Sequence, residues 1–139
     1  QIAESGDTLH ITTYREGNEE GLQVRFDRET GSRLKEYYKK NNRYDGLYRE
    51  YDPSTGELVY EATYEFGRLN GKAKSLVRDN RFDYWETSTY ANGRQTGPFE
   101  SRYVKNDRVR ETGTYRNGHR TGRWKRYDIN GKLEMEWEE

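Results

Sequence analysis

The chain has 139 residues, a formal net charge of zero and no cysteine. The missing thiols exclude disulfides, thiolate catalysis and cysteine-ligated zinc, and the neutral charge argues against a large nucleic-acid-binding surface. Leu, Ile, Val and Phe together make only 20 residues, but 13 Tyr and 3 Trp are also present. Because aromatic rings bury a large apolar area, we expect one folded domain over 1–139, built on a thin sheet.

Glycines recur at intervals of 25 or 26 residues along the chain. They are Gly21, Gly46, Gly71, Gly97 and Gly122. A fixed period of this length indicates a repeat architecture. It divides the chain into five units, roughly 8–34, 35–58, 59–83, 84–109 and 110–139.

A tyrosine precedes the repeat glycine by seven residues in four of the five units. These residues are Tyr14, Tyr64, Tyr90 and Tyr115. The second unit is irregular, and we assign Tyr38 to its tyrosine position and Asn41 to the following glycine position, with one additional residue before Gly46. If the units stack in register, these tyrosines lie beside one another and form a ladder of rings. Each pair of aromatic neighbours across the sheet then stabilises the fold by roughly 0.2–1 kcal/mol.

The turn residues predict hairpins. Asn92-Gly93, Asn117-Gly118 and Asn130-Gly131 are dipeptides that favour tight turns with positive φ at both central residues. The segments between turns are rich in Thr, Tyr, Val, Phe and Trp, which suit strands. We therefore predict an all-β protein, an antiparallel meander of about five β-hairpin repeats that forms an elongated, twisted, mostly single-layer sheet.

One spacing leaves two arrangements open. Trp124 and Tyr127 are three residues apart, so a regular strand would point them to opposite faces. Either both faces of the sheet carry aromatic rings, or a bulge intervenes between these residues.

The last unit resembles the bacterial MORN-repeat variant. The residues that carry the resemblance are Tyr115, Gly118, Gly122, Trp124, Tyr127, Asn130, Gly131 and Leu133. Weaker matches in the other units extend it over about residues 8–138. The resemblance implies a β-hairpin scaffold for protein interaction or membrane apposition, and bacterial members of this variant family are often described as antitoxin-like. Choline- or glucan-binding repeats are a weaker match, because their paired Trp and Tyr-Tyr groups do not recur in every unit here.

The sequence offers little for catalysis. The only histidines are His10 and His119, nothing in the pattern brings them together, and no serine-hydrolase or zinc-protease motif is present. We therefore expect a binding protein rather than an enzyme, with no catalytic residue, no metal site and no cofactor.

The most basic stretch is the candidate surface for a partner. It comprises Arg116, His119, Arg120, Arg123, Trp124 and Arg126. Such a patch attracts anionic groups. We expect another protein as the partner, with a glycan or a membrane surface as alternatives, no nucleic acid, and a homodimer through the sheet edges as a further arrangement. The chain starts at Gln1 rather than Met, which slightly favours a periplasmic or secreted location.

Overall fold

The computed structural model describes residues 2–5 and 8–139. Gln1, on which the expectation about the compartment rests, lies outside the described residues. Every regular element in the described part is a β-strand, and the predicted antiparallel meander of hairpin repeats is confirmed. The chain forms two compact units, 1–69 and 70–139. The boundary falls within the third predicted repeat.

Unit 1 is a meander of consecutive antiparallel strands. Its strands are β1 (Ile2–Ser5), β2 (Thr8–Ile11), β3 (Tyr14–Arg15), β4 (Asn18–Glu19), β5 (Gly21–Asp27), β6 (Arg33–Lys40), β7 (Arg43–Tyr51) and β8 (Leu58–Glu65), and β9 (Arg68–Val77) begins in this unit. The spatial order is β1-β2-β5-β6-β7-β8, while β3 and β4 form a separate short hairpin.

Unit 2 has the same construction. Its remaining strands are β10 (Tyr84–Ala91), β11 (Arg94–Gln95), β12 (Gly97–Tyr103), β13 (Val109–Arg116), β14 (His119–Tyr127) and β15 (Leu133–Glu138). β10 pairs with β9, β11 and β12, and β12 to β15 follow in sequence order. Because neighbouring strands are neighbours in sequence, nearly all pairing is between hairpin partners.

Five turns share one unusual backbone geometry. Both central residues have positive φ at Glu16-Gly17, Asn41-Asn42, Phe66-Gly67, Asn92-Gly93 and Asn117-Gly118. This is the geometry of type I′ hairpin turns, whose twist matches that of the flanking strands. The predictions for Asn92-Gly93 and Asn117-Gly118 are confirmed.

The second of the five predicted repeats, 35–58, contains no inserted residue, so its predicted alignment was wrong. Asn42, with φ 65°, takes the position of the turn glycine. Lys39 pairs with Tyr44 as Tyr14 pairs with Glu19, so Lys39 rather than Tyr38 occupies the tyrosine position. Two successive asparagines concealed this register, because either tolerates a left-handed conformation.

The prediction for Asn130-Gly131 was also wrong. Only Gly131 of this pair has positive φ. The turn is instead organised by Asp128, whose Oδ1 accepts hydrogen bonds from the backbone N–H groups of Asn130 and Lys132, both at 2.9 Å. Asp27 organises its turn in the same way. An aspartate that bonds its own following backbone stabilises a turn without an Asn-Gly pair.

The repeat glycines mark irregular points in the strands. All five have positive φ. At Gly46, Tyr37 pairs with Tyr48 while Lys39 pairs with Tyr44, so two steps along β6 match four steps along β7. Such a bulge demands the conformational freedom of glycine. The repeat glycine therefore fixes the register between the turn and the rest of each hairpin.

The buried residues lie along the strands rather than between layers. They are Gln23, Val24, Ala62, Ala73, Phe99, Ser101, Tyr103, Glu111 and Trp124. Trp124 is fully buried and lies over Gly113, where an added Cβ would be 2.1 Å from the ring. The register irregularity between β14 and β15 comes from an extra residue in β15, because Arg126 pairs with Met135 and Tyr127 pairs with Leu133. β14 therefore alternates regularly from Trp124 to Tyr127, and both faces carry aromatic residues.

Successive repeats are linked through their turns. The backbone N–H of Asn42 donates to Glu19 O at 3.2 Å, that of Gly67 to Tyr44 O at 2.9 Å, and that of Gly118 to Gln95 O at 2.7 Å. Each bond joins a turn to the preceding hairpin, so the exposed turns are tied into the array.

Candidate interaction surfaces

The predicted basic patch does not form one surface. Arg116 pairs with His119 across the β13–β14 hairpin, and Tyr115 pairs with Arg120. Because adjacent residues of a strand point to opposite faces, Arg120, Trp124 and Arg126 lie on one face of unit 2. Arg116, His119 and Arg123 belong to the other face.

Trp124 is a core residue, so its prediction as a partner contact was wrong. Its side chain is fully buried and packs against Phe99 and Tyr115, with ring centroids 5.4 Å away in both cases. The Arg120 guanidinium covers the ring at 4.3 Å from its centroid, a cation–π contact that removes the remaining solvent access. The glycine opposite, Gly113, was missed by sequence reasoning because its φ is ordinary and it lies outside the turn pattern.

Buried Glu111 holds two of the predicted arginines. Its side chain is 4% exposed, and its Oε2 accepts hydrogen bonds from Arg126 Nε at 3.0 Å and Nη2 at 2.8 Å. Arg120 Nη2 lies 3.8 Å from the other carboxylate oxygen. These arginines are thus engaged within the unit, since a buried carboxylate needs such partners.

A second acidic side chain, Glu86, lies in line with Glu111 across the neighbouring strands. Glu86 pairs with Ser101, and Ser101 pairs with Glu111. Burial raises the pKa of Glu86, and the nearby Glu111 charge acts in the same direction, against the opposing effect of Arg110. Ser101 Oγ is buried and has no hydrogen-bond partner among the described residues.

Arg123 is neutralised on the opposite face. Its guanidinium lies 3.1 Å from Glu136 and 3.1 Å from Glu138. The acidic residues of β15 therefore satisfy this cation, whereas Arg116 and His119 are exposed.

One face of unit 1 carries a cluster of tyrosine rings, which we call the tyrosine face. Its members are Tyr37, Tyr44, Tyr48, Tyr60 and Tyr64, all partly exposed. Successive ring centroids lie 5.1 to 5.9 Å apart, which is the range of favourable aromatic contacts. Tyr64 packs on Tyr44 and Tyr48, and in unit 2 Tyr115 packs on Phe99 and Trp124. Ring contacts thus join the tyrosine column to the position two residues after the repeat glycine.

Lys39 supplies a cation to the tyrosine face. Its Nζ is 2.5 Å from Glu19 Oε2 and 5.3 Å from the Tyr44 ring centroid. Burial would lower the pKa of Lys39, but the hydrogen bond and charge of Glu19 outweigh this effect and raise it. Lys39 thus stays charged at the position where the other four repeats have a tyrosine.

The opposite face of unit 1 carries exposed apolar side chains, which we call the apolar stripe. It consists of Leu22, Tyr38 and Leu47, which are 37%, 46% and 37% exposed. Leu22 pairs directly with Tyr38, and Leu47 follows Gly46, where an added Cβ would lie 3.5 Å from Tyr38 Cβ. The stripe therefore crosses three adjacent strands.

Unit 2 fills the equivalent positions with other residues. Leu22 and Leu47 each follow a repeat glycine directly, and the residues at that position in unit 2 are Lys72, Pro98 and Arg123. Tyr38 lies eight residues before its repeat glycine, and the residues at that position in unit 2 are Thr89 and Thr114. The same hairpin fold thus forms without leucine or tyrosine at these sites.

A group of residues at one end of the stripe forms what we call the tip cluster: Lys40, Arg43 and Phe66. Lys40 lies two residues beyond Tyr38 on the same face and pairs with Arg43. Phe66 is 69% exposed. Together with Asn41 and Asp45, these residues line a cleft of about 300 Å³.

Comparison with known proteins gives no family assignment. A scan against protein-family models found no match, and a search of curated proteins found no significant match. The resemblance to the MORN-repeat variant therefore stays a prediction from the residue pattern.

Within residues 2–5 and 8–139, no three His, Cys, Asp or Glu side chains are grouped in a way that could hold a metal ion. No helix in the described part of the chain is long and apolar enough to cross a bilayer.

Proposed function

We propose that the chain is a non-enzymatic repeat scaffold that binds a protein partner through the apolar stripe of unit 1. The observation that carries this proposal is the comparison between the two units. Leu22, Tyr38 and Leu47 are exposed where unit 2 has Lys, Thr, Pro and Arg. Since the hairpin fold does not require apolar residues there, their presence is explained by binding.

The surroundings of the stripe favour a particular partner surface. An interface typically combines an apolar centre with a polar rim, and tyrosine is enriched among the residues that dominate binding. Tyr38 is central in the stripe, and Lys40 and Arg43 lie beyond it at the rim. A complementary partner presents apolar side chains to the stripe and carboxylates to these two cations.

An immunity or antitoxin-type role is one form of such binding. It is the role that the resemblance to the MORN-repeat variant implies. The resemblance leaves open which surface contacts the partner, and the apolar stripe supplies a specific candidate.

A second copy of the chain is a weaker candidate for the partner. Sheet-edge pairing through β15 would bring Glu134, Glu136 and Glu138 of one copy beside the same residues of the other. Like charges opposite each other destabilise strand pairing. A homodimer through this edge therefore fits the charges less well than a different protein does.

A stripe variant tests the proposal. Leu22→Lys, Tyr38→Thr and Leu47→Lys together replace the stripe by residues that unit 2 carries at equivalent positions. Wild-type and variant proteins serve as bait against extracts of the source, with captured proteins quantified by mass spectrometry. We expect a stoichiometric partner on the wild type and its loss on the variant.

The control removes exposed apolar side chains elsewhere. Val104→Ser with Met135→Gln alters residues that are 51% and 52% exposed but lie in unit 2. Equal capture by the wild type, control and stripe variant would contradict the proposed site. A folded wild type that captures no protein would count against protein binding altogether.

The tyrosine face supports glycan binding as a second candidate function. Five partly exposed rings lie on one surface of unit 1, and flat aromatic faces stack on sugar rings. Polysaccharide and peptidoglycan arrays test it, with Tyr60→Ser as the variant. Binding that depends on Tyr60, and not on the apolar stripe, would favour the glycan over the protein partner.

A further inference from the structure

Phe66 occupies a backbone position that does not suit it. Its φ is 51°, in the left-handed region where a bulky side chain is strained. The equivalent turn residue is asparagine at 41, 92 and 117 and glutamate at 16. Asparagine tolerates this conformation, and no other repeat places an aromatic residue there. Burial offers no compensation, because the ring is 69% exposed. Folding alone therefore does not account for phenylalanine at this turn.

The cations beside Phe66 break a second local rule. Lys40 and Arg43 are direct partners across the hairpin, and like charges in that arrangement repel. Both side chains are exposed. Neither forms an ion pair with a carboxylate in the part of the chain that the structure describes. Asp45 also lines the cleft, and its Oδ2 accepts a hydrogen bond from the Phe66 N–H at 3.4 Å. The two cations outnumber this one carboxylate, so the hairpin end keeps a net positive charge.

These features meet in one place. The Gly67 backbone N–H donates to Tyr44 O at 2.9 Å, and an added Cβ at Gly67 would lie 3.7 Å from Arg43 Cβ. The Phe66 turn therefore packs against the stem of Arg43. The cleft of about 300 Å³, which Asn41 and Asp45 also line, is large enough for a single side chain.

We propose that the tip cluster is an anchor site for an acidic segment of a protein partner. A carboxylate of the partner bridges Lys40 and Arg43, and an apolar neighbour of that carboxylate packs on the exposed Phe66 ring. Opposite charge recognises the segment, and the ring supplies the apolar area that typical anchor residues bury. The inference rests on the proposed protein-binding function and adds the chemistry of the partner.

A displayed library of random peptides tests the site while the partner is unidentified. Selection uses the immobilised wild-type chain, and the variant with Phe66→Asn, Lys40→Gln and Arg43→Gln removes peptides that bind elsewhere. We expect the enriched peptides to contain Asp or Glu beside Leu, Ile or an aromatic residue. Peptides without acidic enrichment, or no enrichment at all, would overturn the inference.

The single variant Phe66→Asn separates binding from folding. Asparagine relieves the strained turn, so Tm should rise by a few degrees, while affinity for the selected peptides falls about tenfold or more. A fall in both quantities would mean that Phe66 is structural, and unchanged affinity would likewise overturn the anchor role.

Charge variants complete the test. Lys40→Gln with Arg43→Gln should weaken peptide binding and remove its dependence on salt, whereas Lys105→Gln with Lys132→Gln, two exposed cations of unit 2, should leave both unchanged. Equal losses in the two pairs would show non-specific attraction and overturn the site. The stripe variant remains the separate test of the proposed function, so a failed tip cluster does not affect that result.

Discussion

A methyl group in place of the Gly113 hydrogen would lie 2.1 Å from Trp124 Cδ2. The indole thus occupies the space where a side chain at 113 would project, and the most buried ring of unit 2 depends on a residue without Cβ. Ala62, fully buried, pairs with Tyr48 in unit 1 in a related arrangement. Small residues under large rings let a thin sheet reach the packing density that a core requires.

Gly113→Ala should lower the free energy of unfolding by about 1–3 kcal/mol, the usual cost of overpacking. Thermal and denaturant unfolding measure this loss. The control is Gly93→Asn, where an added Cβ has open space and a positive φ that asparagine tolerates. Equal stability of the two variants would contradict the placement of Trp124 over Gly113.

The burial of Trp124 predicts its fluorescence. A variant with Trp85→Phe and Trp137→Phe retains only Trp124, whose emission should be blue-shifted and resistant to iodide because the side chain is fully buried. The matched variant with Trp124→Phe and Trp137→Phe retains only Trp85, a partly exposed residue, and should be quenched more strongly. Strong quenching in the variant that retains only Trp124 would show that Trp124 is a surface residue.

Glu86 and Glu36 should affect stability in opposite directions. Burial raises the pKa of Glu86, so its stabilising contribution is present only at low pH and is lost as pH rises through the folded-state pKa. Glu86→Gln should therefore raise Tm at neutral pH. Its effect should be small near the ordinary glutamate pKa of about 4.3.

Glu36 provides the contrasting case. Burial would raise its pKa, but hydrogen bonds from Tyr51 and Arg49 and the charge of Arg33 outweigh burial and hold the pKa low. Its contribution is present above the unfolded-state pKa and is lost as pH falls through the folded-state pKa. Glu36→Gln should lower Tm at neutral pH, and effects of the same sign for both variants would refute this assignment.

The turn-to-turn hydrogen bonds should slow amide exchange at exposed positions. The N–H groups of Gly67 and Gly118 donate to the preceding hairpin, whereas the described residues offer no such acceptor to Gly17. Exchange at Gly67 and Gly118 should be slower than at Gly17 by roughly tenfold or more, which corresponds to about 1.4 kcal/mol of local opening free energy. Hydrogen exchange followed by NMR measures the three amides, and equal rates would mean that the turns are not linked.

Periodic features of the fold were predictable because turn chemistry is local. The repeat glycines, Asn92-Gly93 and Asn117-Gly118 identify strands and turns whatever packs around them. The second repeat, 35–58, was misaligned because Lys39 replaces the repeat tyrosine. Only the pairing of Lys39 with Tyr44 shows that Lys39 occupies the tyrosine position. The turn at Asn130-Gly131 was predicted wrongly because Asp128 accepts a hydrogen bond from the Asn130 N–H and stabilises a different type of turn.

The surfaces were harder to predict because exposure depends on cross-strand neighbours. Trp124 lies within a basic run, but the alternation of β14 buries its ring while Arg123 faces the other side. The apolar stripe was missed as a group because Leu22, Tyr38 and Leu47 are far apart in sequence. A comparison of equivalent positions between repeats would have found it, provided the second unit was aligned through Asn42.

The bonds between successive turns also bear on how such a chain changes length. Asn42, Gly67 and Gly118 each donate a main-chain hydrogen bond to the hairpin before them, and Asn42 adds side-chain hydrogen bonds with Asn18 and Glu19. The main-chain bond needs no particular side chain in the neighbouring repeat. Whole repeats can therefore be duplicated or deleted during evolution while this main-chain bond is kept. Surface sequences can then diverge repeat by repeat, and an array can acquire a new recognition surface at one position while its other repeats keep their own.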